Sequence, residues 1–328
     1  MSDGMVSAAG VRRAAERLKG KAVLTPLLES DMLNEKVGGR VLLKAEILQH
    51  CGSFKFRGAY NRISQLSPEQ KKRGVLAWSS GNHAQGVALA ARHFGAPATI
   101  VMPKDAPALK AEKVRYYGAE IISYDRYTED REAIARPLAE ERGLAIVPSF
   151  DDVDVIEGQG TAALEAVEQA AAAGAKLDAF IVPCGGGGLA SGCAAILEEI
   201  SPQTEMWIAE PEGFDEGWAS IKAGRILKSD VTRRTICDAI ATPSLGTITF
   251  PILQRLARGG VSLTEEDIGA AMTYAFKYLK LVVEPGGAAA LAAVLSRKLD
   301  ARGRTVAVTL SGGNVDPTLF STVLARHG

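Results

Sequence analysis

Short apolar segments alternate along this chain with longer segments of helical pattern, and this alternation is the feature that most restricts the fold. The apolar segments lack the polar alternation of half-exposed strands, as expected for parallel strands covered on both faces. We therefore predict an α/β fold with mostly parallel sheets. The predicted strands cover residues 41–46, 75–80, 98–102, 119–124, 179–184, 206–210 and 306–311.

The chain length of 328 residues favours two domains. Two βα units between residues 74 and 146 predict a small inserted domain, and residues 1–73 with 147–328 would form the larger one. Both domains are expected to be doubly wound. A cleft between two such domains is where a ligand normally binds.

Composition argues against several classes of function. The 38 basic and 38 acidic residues give zero formal net charge, which favours neither nucleic acid nor a membrane surface as partner. The four cysteines fit no zinc pattern, and neither an export signal nor a membrane-length apolar run is evident. We expect a cytoplasmic protein whose partners are small molecules or copies of itself.

The segment Gly52-Ser53-Phe54-Lys55-Phe56-Arg57-Gly58 places a lysine between two phenylalanines near a predicted helix start. Burial against apolar groups lowers the pKa of a lysine, and a neutral amine can form a Schiff base with an aldehyde cofactor. A solvated surface lysine is the simpler interpretation of this segment taken alone.

The segment Ser79-Ser80-Gly81-Asn82-His83-Ala84-Gln85-Gly86 follows a strand and opens a helix. Its backbone N–H groups and the helix N-terminus favour an anion such as a substrate carboxylate. An ordinary βα turn capped by serine explains the same residues equally well, and His83 alone is more typical of a structural histidine.

Four consecutive glycines, Gly185 to Gly188, lie between a strand and a helix and predict a backbone nest for a phosphate. The spacing Gly185-x-Gly187-x-x-Ala190, with Glu210 ending the next strand, also fits a dinucleotide fingerprint. A nicotinamide-dependent oxidoreductase is therefore an alternative, although this fingerprint explains none of the other segments.

A fourth segment, Ser311-Gly312-Gly313-Asn314, ends the last predicted strand, where open α/β sheets bind ligands. Ser311 could hydrogen-bond a ring nitrogen, although a plain glycine turn is the simpler interpretation. The loop Glu284–Ala288 precedes a helix and could line the same cleft.

Together these segments resemble the threonine dehydratase and serine racemase family, which are fold-type-II, tryptophan-synthase-β-like enzymes that hold pyridoxal 5'-phosphate (PLP) between two domains. The resemblance extends from about residue 10 to 320. The matching motifs, in family order, are TPLLES, GSFKFRGA, SSGNHAQG, MPKDAP, VIEGQGTAALE, PCGGGGL, EPGGAAA and SGGNVD.

The resemblance implies a role for each motif. Lys55 would hold PLP as a Schiff base and act as catalytic base, with Ser80 as the second catalytic candidate, because the matching serine is the second base of racemases. The cofactor would contact Phe54, Lys55, Asn82, Gly185, Gly186, Gly187, Gly188 and Ser311. The substrate carboxylate would be held by Ser79, Ser80, Gly81, Asn82 and His83.

Two further segments resemble parts of the serine racemase branch. Glu210, the carbonyl of Phe214 and Glu216 match a loop that binds Mg²⁺ or Ca²⁺, although a simple acidic helix start would explain the same residues. Arg131 aligns with an arginine that can meet a distal carboxylate, which would favour 3-hydroxyaspartate. A surface arginine paired with nearby acids is the favoured interpretation of Arg131.

The resemblance predicts a threonine/serine dehydratase, an ammonia-lyase that converts a β-hydroxy-α-amino acid to a 2-oxo acid and ammonia. Serine racemase and 3-hydroxyaspartate dehydratase are the alternatives within the family, and a non-catalytic amino-acid-binding protein is a weaker one. No regulatory domain follows the last motif, so a catabolic role is expected. The family also suggests a homodimer.

Overall fold

The computed structural model describes residues 5–79, 81–106, 108–230 and 232–328. Within these ranges the chain forms two sheets flanked by helices, which confirms the predicted α/β class. The strands are β1 (Leu27–Glu29), β2 (Arg40–Lys44), β3 (Val75–Trp78), β4 (Ala98–Pro103), β5 (Glu120–Tyr124), β6 (Ala145–Ile146), β7 (Ala179–Pro183), β8 (Glu205–Pro211), β9 (Ala257–Leu263) and β10 (Thr305–Thr309).

Helices surround both sheets. A π-helical turn, Ala275–Leu279, follows the twelfth α-helix, and short 3₁₀ turns lie at Glu46–Leu48 and His50–Gly52. The α-helices are α1 (Ala8–Leu18), α2 (Asp31–Val37), α3 (Lys55–Ser64), α4 (Pro68–Arg73), α5 (Asn82–His93), α6 (Ala108–Tyr116), α7 (Arg131–Arg142), α8 (Val153–Ala172), α9 (Gly188–Ile200), α10 (Glu216–Ala223), α11 (Thr249–Leu256), α12 (Glu265–Tyr274), α13 (Pro285–Leu295) and α14 (Pro317–His327).

The larger sheet has the strand order β1-β2-β10-β7-β8-β9. All its neighbours are parallel except β1 and β2. The sequence did not predict β9, because Gly259 and Gly260 interrupt its apolar pattern. A Cβ at these two glycines would meet the rings of Trp207 and Trp218, so the glycines let two tryptophans cover the strand.

The smaller sheet, β5-β4-β3-β6, is parallel throughout and comes entirely from residues 75–146. Its apolar core also contains Phe56 and Ile63 of α3, packed with Val87 and Ile100. Helix α3, which carries Lys55 as its first residue, therefore packs against the helices of the smaller sheet. This arrangement places Lys55 at the boundary between the two sheets.

Local sequence signals set several helix ends. Ser67 with Gln70 and Thr264 with Asp267 form capping boxes at the starts of α4 and α12. None of the helices within the described residues is both long enough and apolar enough to span a membrane.

Candidate active site

A cleft of about 470 Å³ lies between the two sheets, within the usual size of a small-molecule site. It collects residues that are far apart in the chain. The predicted residues that line it are Phe54, Lys55, Ser79, Gly81, Asn82, His83, Gly185, Gly186, Gly187, Gly188 and Ser311. Ser80, the second catalytic candidate, lies outside the described residues.

Lys55 enters the cleft from the first turn of α3. Its Nζ donates a hydrogen bond to the carbonyl oxygen of Ser149 at 2.8 Å and lies 5.0 Å from the centroid of the Phe54 ring. Desolvation lowers its pKa from 10.5 to about 8, and no carboxylate within the described part of the chain pairs with it. An appreciable fraction of this amine is therefore neutral near physiological pH, as a nucleophile requires.

Asn82 begins α5 at the other side of the cleft. Its amide Nδ2 donates to the carboxylate of Glu284, and its Oδ1 accepts from Nδ2 of Asn314 at 2.8 Å. The second proton of Nδ2 has no acceptor among the described residues and can be donated to a ligand. In the preceding loop, the Ser79 hydroxyl accepts a hydrogen bond from the Gly81 amide at 3.2 Å.

His83 is only 2% exposed, and its Nε2 lies 2.8 Å from the carbonyl oxygen of Val147. Desolvation, with Lys55 nearby, lowers its pKa to about 3. The imidazole is therefore neutral. Its hydrogen bond to the backbone of residue 147 is a structural role for the side chain, whereas a role of this loop in binding a carboxylate stays a prediction.

The glycine loop lies between β7 and α9 and is shaped by close packing. A Cβ at Gly186 would collide with the ring of Phe150, and one at Gly188 would lie 2.7 Å from Oε1 of Gln159. Gly187 has φ +89° and is the N-cap of α9, where no side chain caps the first turn. The N-terminal N–H groups of α9 are thus available for an anion.

Ser311 follows β10 and is 5% exposed. Its backbone carbonyl oxygen accepts from the Phe54 amide at 3.2 Å, which ties this loop to the lysine segment. Ser311 also lines the cleft, where its side chain contributes a neutral hydroxyl group.

The sequence suggested that the loop beginning at Glu284 lines the cleft, and Glu284 does so, but it gave no chemical role to Glu284 or to Lys110. Glu284 is 1% exposed, and desolvation raises its pKa to about 7. Lys110 of α6 forms an ion pair of 3.0 Å with Asp238, and both side chains line the cleft. No local signal identifies Lys110, since its partner is 128 positions away.

Arg131 is the first residue of α7 and lines the cleft while remaining exposed. The favoured interpretation paired it with nearby acids, but among the described residues it forms no ion pair. Its neighbour Glu132 instead pairs with Arg136, whose guanidinium also stacks on Trp78 at 5.4 Å. The cleft therefore has a guanidinium at its rim that is available to a ligand.

The predicted metal loop contains two buried carboxylates. Glu210 accepts hydrogen bonds from the amides of Gly217 and Trp218, both at 2.9 Å, and Glu216 accepts from the Ser229 hydroxyl. Burial raises the pKa of both carboxyls, that of Glu210 to about 8. No group of three or more His, Cys, Asp or Glu side chains suited to a metal exists within the described ranges.

The comparison with protein families decides the general identity of the chain, since residues 19–312 match the family described as "Pyridoxal-phosphate dependent enzyme". The chain belongs to this family. The resemblance found in the sequence is confirmed, and PLP is the cofactor of this family. The glycine loop is accordingly a part of a PLP enzyme, and Glu210 binds the amides of α10 rather than serving a dinucleotide fingerprint.

Several relatives are similar over almost their whole length. An L-threo-3-hydroxyaspartate ammonia-lyase from Pseudomonas sp is 45% identical over 96% of this chain and 97% of its own. A serine racemase from Schizosaccharomyces pombe is 40% identical over 99% of this chain and 100% of its own. Among solved structures, a serine racemase from maize superposes with a TM-score of 0.91 at 36% identity, covering 98% of this chain and 98% of that one. A solved threonine deaminase superposes with a TM-score of 0.89 at 44% identity, covering 94% of this chain and 99% of that one.

The residues of the cleft fit the cofactor. The amine of Lys55 is suited to its aldehyde, the uncapped start of α9 to its phosphate, and the free proton of Asn82 Nδ2 to its ring oxygen. When bound, PLP withdraws electrons from the carbon next to an amino group. The assignment of individual residues to the cofactor and the substrate stays a prediction.

Proposed function

We propose that this chain is an ammonia-lyase that converts a β-hydroxy-α-amino acid to a 2-oxo acid and ammonia. The observation that carries the proposal is Lys55, a desolvated amine without a carboxylate partner among the described residues. The similarity of the whole chain to a 3-hydroxyaspartate ammonia-lyase and to a threonine deaminase supports it. Such an amine both binds an aldehyde and accepts a proton.

Several residues of the cleft would take part in this reaction. The neutral amine of Lys55 removes the proton from the substrate α-carbon, while the loop of residues 79–83 holds the carboxylate. The ion pair of Lys110 with Asp238 joins the two sides of the cleft and restricts water. Ser311 would place a hydroxyl at the nitrogen of the cofactor ring. Because a hydroxyl does not stabilise a protonated ring nitrogen as a carboxylate would, the ring would withdraw electrons less strongly. Weaker withdrawal favours prompt loss of a β leaving group.

The preferred substrate in this proposal is 3-hydroxyaspartate. Arg131 lines the cleft without an acidic partner within the described residues, and a guanidinium binds a second carboxylate strongly and directionally. Threonine and serine, which the sequence favoured, lack this carboxylate and would be poorer substrates. The similarity to L-threo-3-hydroxyaspartate ammonia-lyases at 45% and 43% identity supports the same choice.

The decisive experiment measures ammonia and 2-oxo-acid release from 3-hydroxyaspartate, threonine and serine by the PLP-loaded protein and by Arg131→Met. We expect the variant to lose about 10- to 100-fold in kcat/KM for 3-hydroxyaspartate, since it loses a charged hydrogen bond, and to change little for threonine. The matched control is Arg126→Met, an exposed arginine paired with Asp105 that does not line the cleft. Equal losses for all three substrates would contradict the specificity but leave the lyase intact. No release from any substrate would contradict the lyase itself.

Racemisation is the second candidate activity, because relatives at 40% identity are named serine racemases. It requires an acid–base group on the face opposite Lys55, and Ser80 is the residue that the family resemblance places there. Chiral analysis of serine after incubation with the wild type and with Ser80→Ala distinguishes the two activities. D-serine formed only by the wild type would support racemisation.

The chain would also bind a divalent metal ion at the loop of Glu210 and Glu216. Two buried carboxylates, Glu210 and Glu216, have the chemistry for Mg²⁺ or Ca²⁺, and we expect Mg²⁺ to raise the melting temperature of the wild type but not of Glu210→Gln. We also expect a homodimer from the family resemblance, and light scattering tests this expectation. Cytoplasmic localisation fits the four free thiols.

A further inference from the structure

Glu284 is a buried carboxylate to which the lyase reaction assigns no role. One of its oxygens accepts from Nδ2 of Asn82, while Oε2 is buried with no hydrogen-bond partner in the described structure. A half-satisfied buried carboxylate costs free energy, so its retention calls for an explanation in the site that it borders.

A series of side-chain hydrogen bonds connects Glu284 with Lys113 of α6. Asn82 Oδ1 accepts from Nδ2 of Asn314 at 2.8 Å, and Asn314 Oδ1 accepts from Nζ of Lys113 at 3.0 Å. The Asn314 amide is held further by the carbonyl oxygen of Cys51 at 2.6 Å. An ammonium on α6 is thereby linked to a carboxylate beside α13 through two side-chain amides.

The charges at the two ends fix the orientation of both amides. A carboxylate accepts hydrogen bonds and an ammonium donates them, so a flipped Asn82 would turn its carbonyl oxygen toward Glu284. With the observed orientation, the remaining N–H of Asn82 stays available to the cleft. Removing the charge of Glu284 or of Lys113 would weaken the preference for this orientation of the two amides.

Burial raises the pKa of Glu284 to about 7, and the negative charge of Asp238 acts in the same direction. The positive charges of Lys110 and Lys113 and the hydrogen bond from Asn82 oppose this shift. Glu284 therefore changes charge in the range where most enzymes operate.

We propose that Glu284 is a positioning residue that holds the Asn82 amide in the orientation needed to donate to the ring oxygen of bound PLP. Lys113 acts on the same amide from the other end, through Asn314. The consequence is that the visible absorbance band of the bound cofactor follows the charge of Glu284, whichever amino acid is the substrate.

The test is a pH titration of that absorbance band in the PLP-loaded protein, without substrate. We expect a transition near pH 7 in the wild type that Glu284→Gln abolishes. Lys113→Met removes a positive charge and should move the transition upward by roughly half a pH unit, because the carboxylate loses a stabilising partner. The double variant should behave as Glu284→Gln alone, since both changes act on one network.

Arg115→Met is the matched control, because Arg115 is exposed on the same helix and makes no side-chain contact with Asn314. It should titrate as the wild type. A Glu284→Gln protein that keeps the transition, or a Lys113→Met protein that titrates like Arg115→Met, would overturn the proposal. If Glu284→Gln does not fold, as judged by circular dichroism, Lys113→Met still decides, and loss of lyase activity alone would leave this spectral result unaffected.

Discussion

Lys55 and Arg57 are two positions apart on the same helix, and their surroundings differ, because Lys55 is partly buried whereas Arg57 is fully buried. Among the described residues, the Lys55 amine has one hydrogen bond, to a backbone carbonyl oxygen, and desolvation lowers its pKa to about 8. Arg57 is fully buried between Glu46 and Glu165, and these carboxylates raise its pKa above the usual value.

The pairing around Arg57 is close to complete. Its guanidinium donates to both oxygens of Glu46, at 2.7 and 2.8 Å, and to both of Glu165, at 2.7 Å each. Lys44, also fully buried, donates to Glu165 at 2.7 Å and to the carbonyl oxygen of Thr25 at 2.7 Å. Two cations and two carboxylates therefore neutralise each other.

Arg57 and Lys55 show that a buried charged group has different effects when it is paired and when it is unpaired. A fully paired group such as Arg57 joins elements of the fold and is chemically inert, because its protonation state is fixed. An unpaired group such as Lys55 costs stability but can react, because burial brings its pKa close to the working pH. Glu284 is similar to Lys55 in this respect, because one of its oxygens has no hydrogen-bond partner among the described residues and its pKa is raised to about 7 by burial.

The largest expected effect comes from Lys55→Ala, which should reduce ammonia release at least about 10³-fold, because it removes both the cofactor linkage and the base. Its melting temperature without cofactor should not fall. Steady-state kinetics and the absorbance of the bound cofactor measure the loss of activity and of cofactor linkage, and thermal unfolding measures the melting temperature. Lys72→Ala, on the exposed helix α4, is the control. Full activity of Lys55→Ala would remove the distinction between the two residues.

Arg57→Met should lower the free energy of unfolding by about 3–5 kcal/mol, because Glu46 and Glu165 lose their shared partner and Glu46 is wholly buried. Denaturant unfolding of the cofactor-free protein measures the loss. Arg12→Met, which breaks an exposed pair with Glu199, is the control and should cost at most about 1 kcal/mol. Similar losses in the two variants would show that burial of the pair is unimportant.

The smallest effect concerns the pH dependence of stability. Since the pKa of Lys55 is lowered from 10.5 to about 8 on folding, the unfolded chain binds more protons between these values, and stability contributed by this site rises with pH. Lys55→Met should therefore be more stable than the cofactor-free wild type below about pH 8, by about 3 kcal/mol. The difference should vanish by about pH 10.5, as thermal unfolding across this range would show. A stability difference between Lys55→Met and the wild type that does not change with pH would contradict an unpaired, desolvated amine at position 55.

Much of the fold followed from local pattern. The long apolar strands and the capping boxes at Ser67 and Thr264 were predictable, because period and capping are properties of short segments. Strands β1, β6 and β9 were not, since two are very short and the third contains Gly259 and Gly260. Their pairing depends on neighbours from distant parts of the chain.

The sequence by itself determined the family and the class of cofactor, and it identified Lys55 and the glycine loop as candidates, because all of these reside in contiguous motifs. Only the tertiary structure decided which charges are paired. Arg57 meets Glu165 across 108 positions, Lys110 meets Asp238 across 128, and Asn82 meets Glu284 across 202. The pKa of a buried group depends on distances and solvent exposure, and those exist only once the chain has folded.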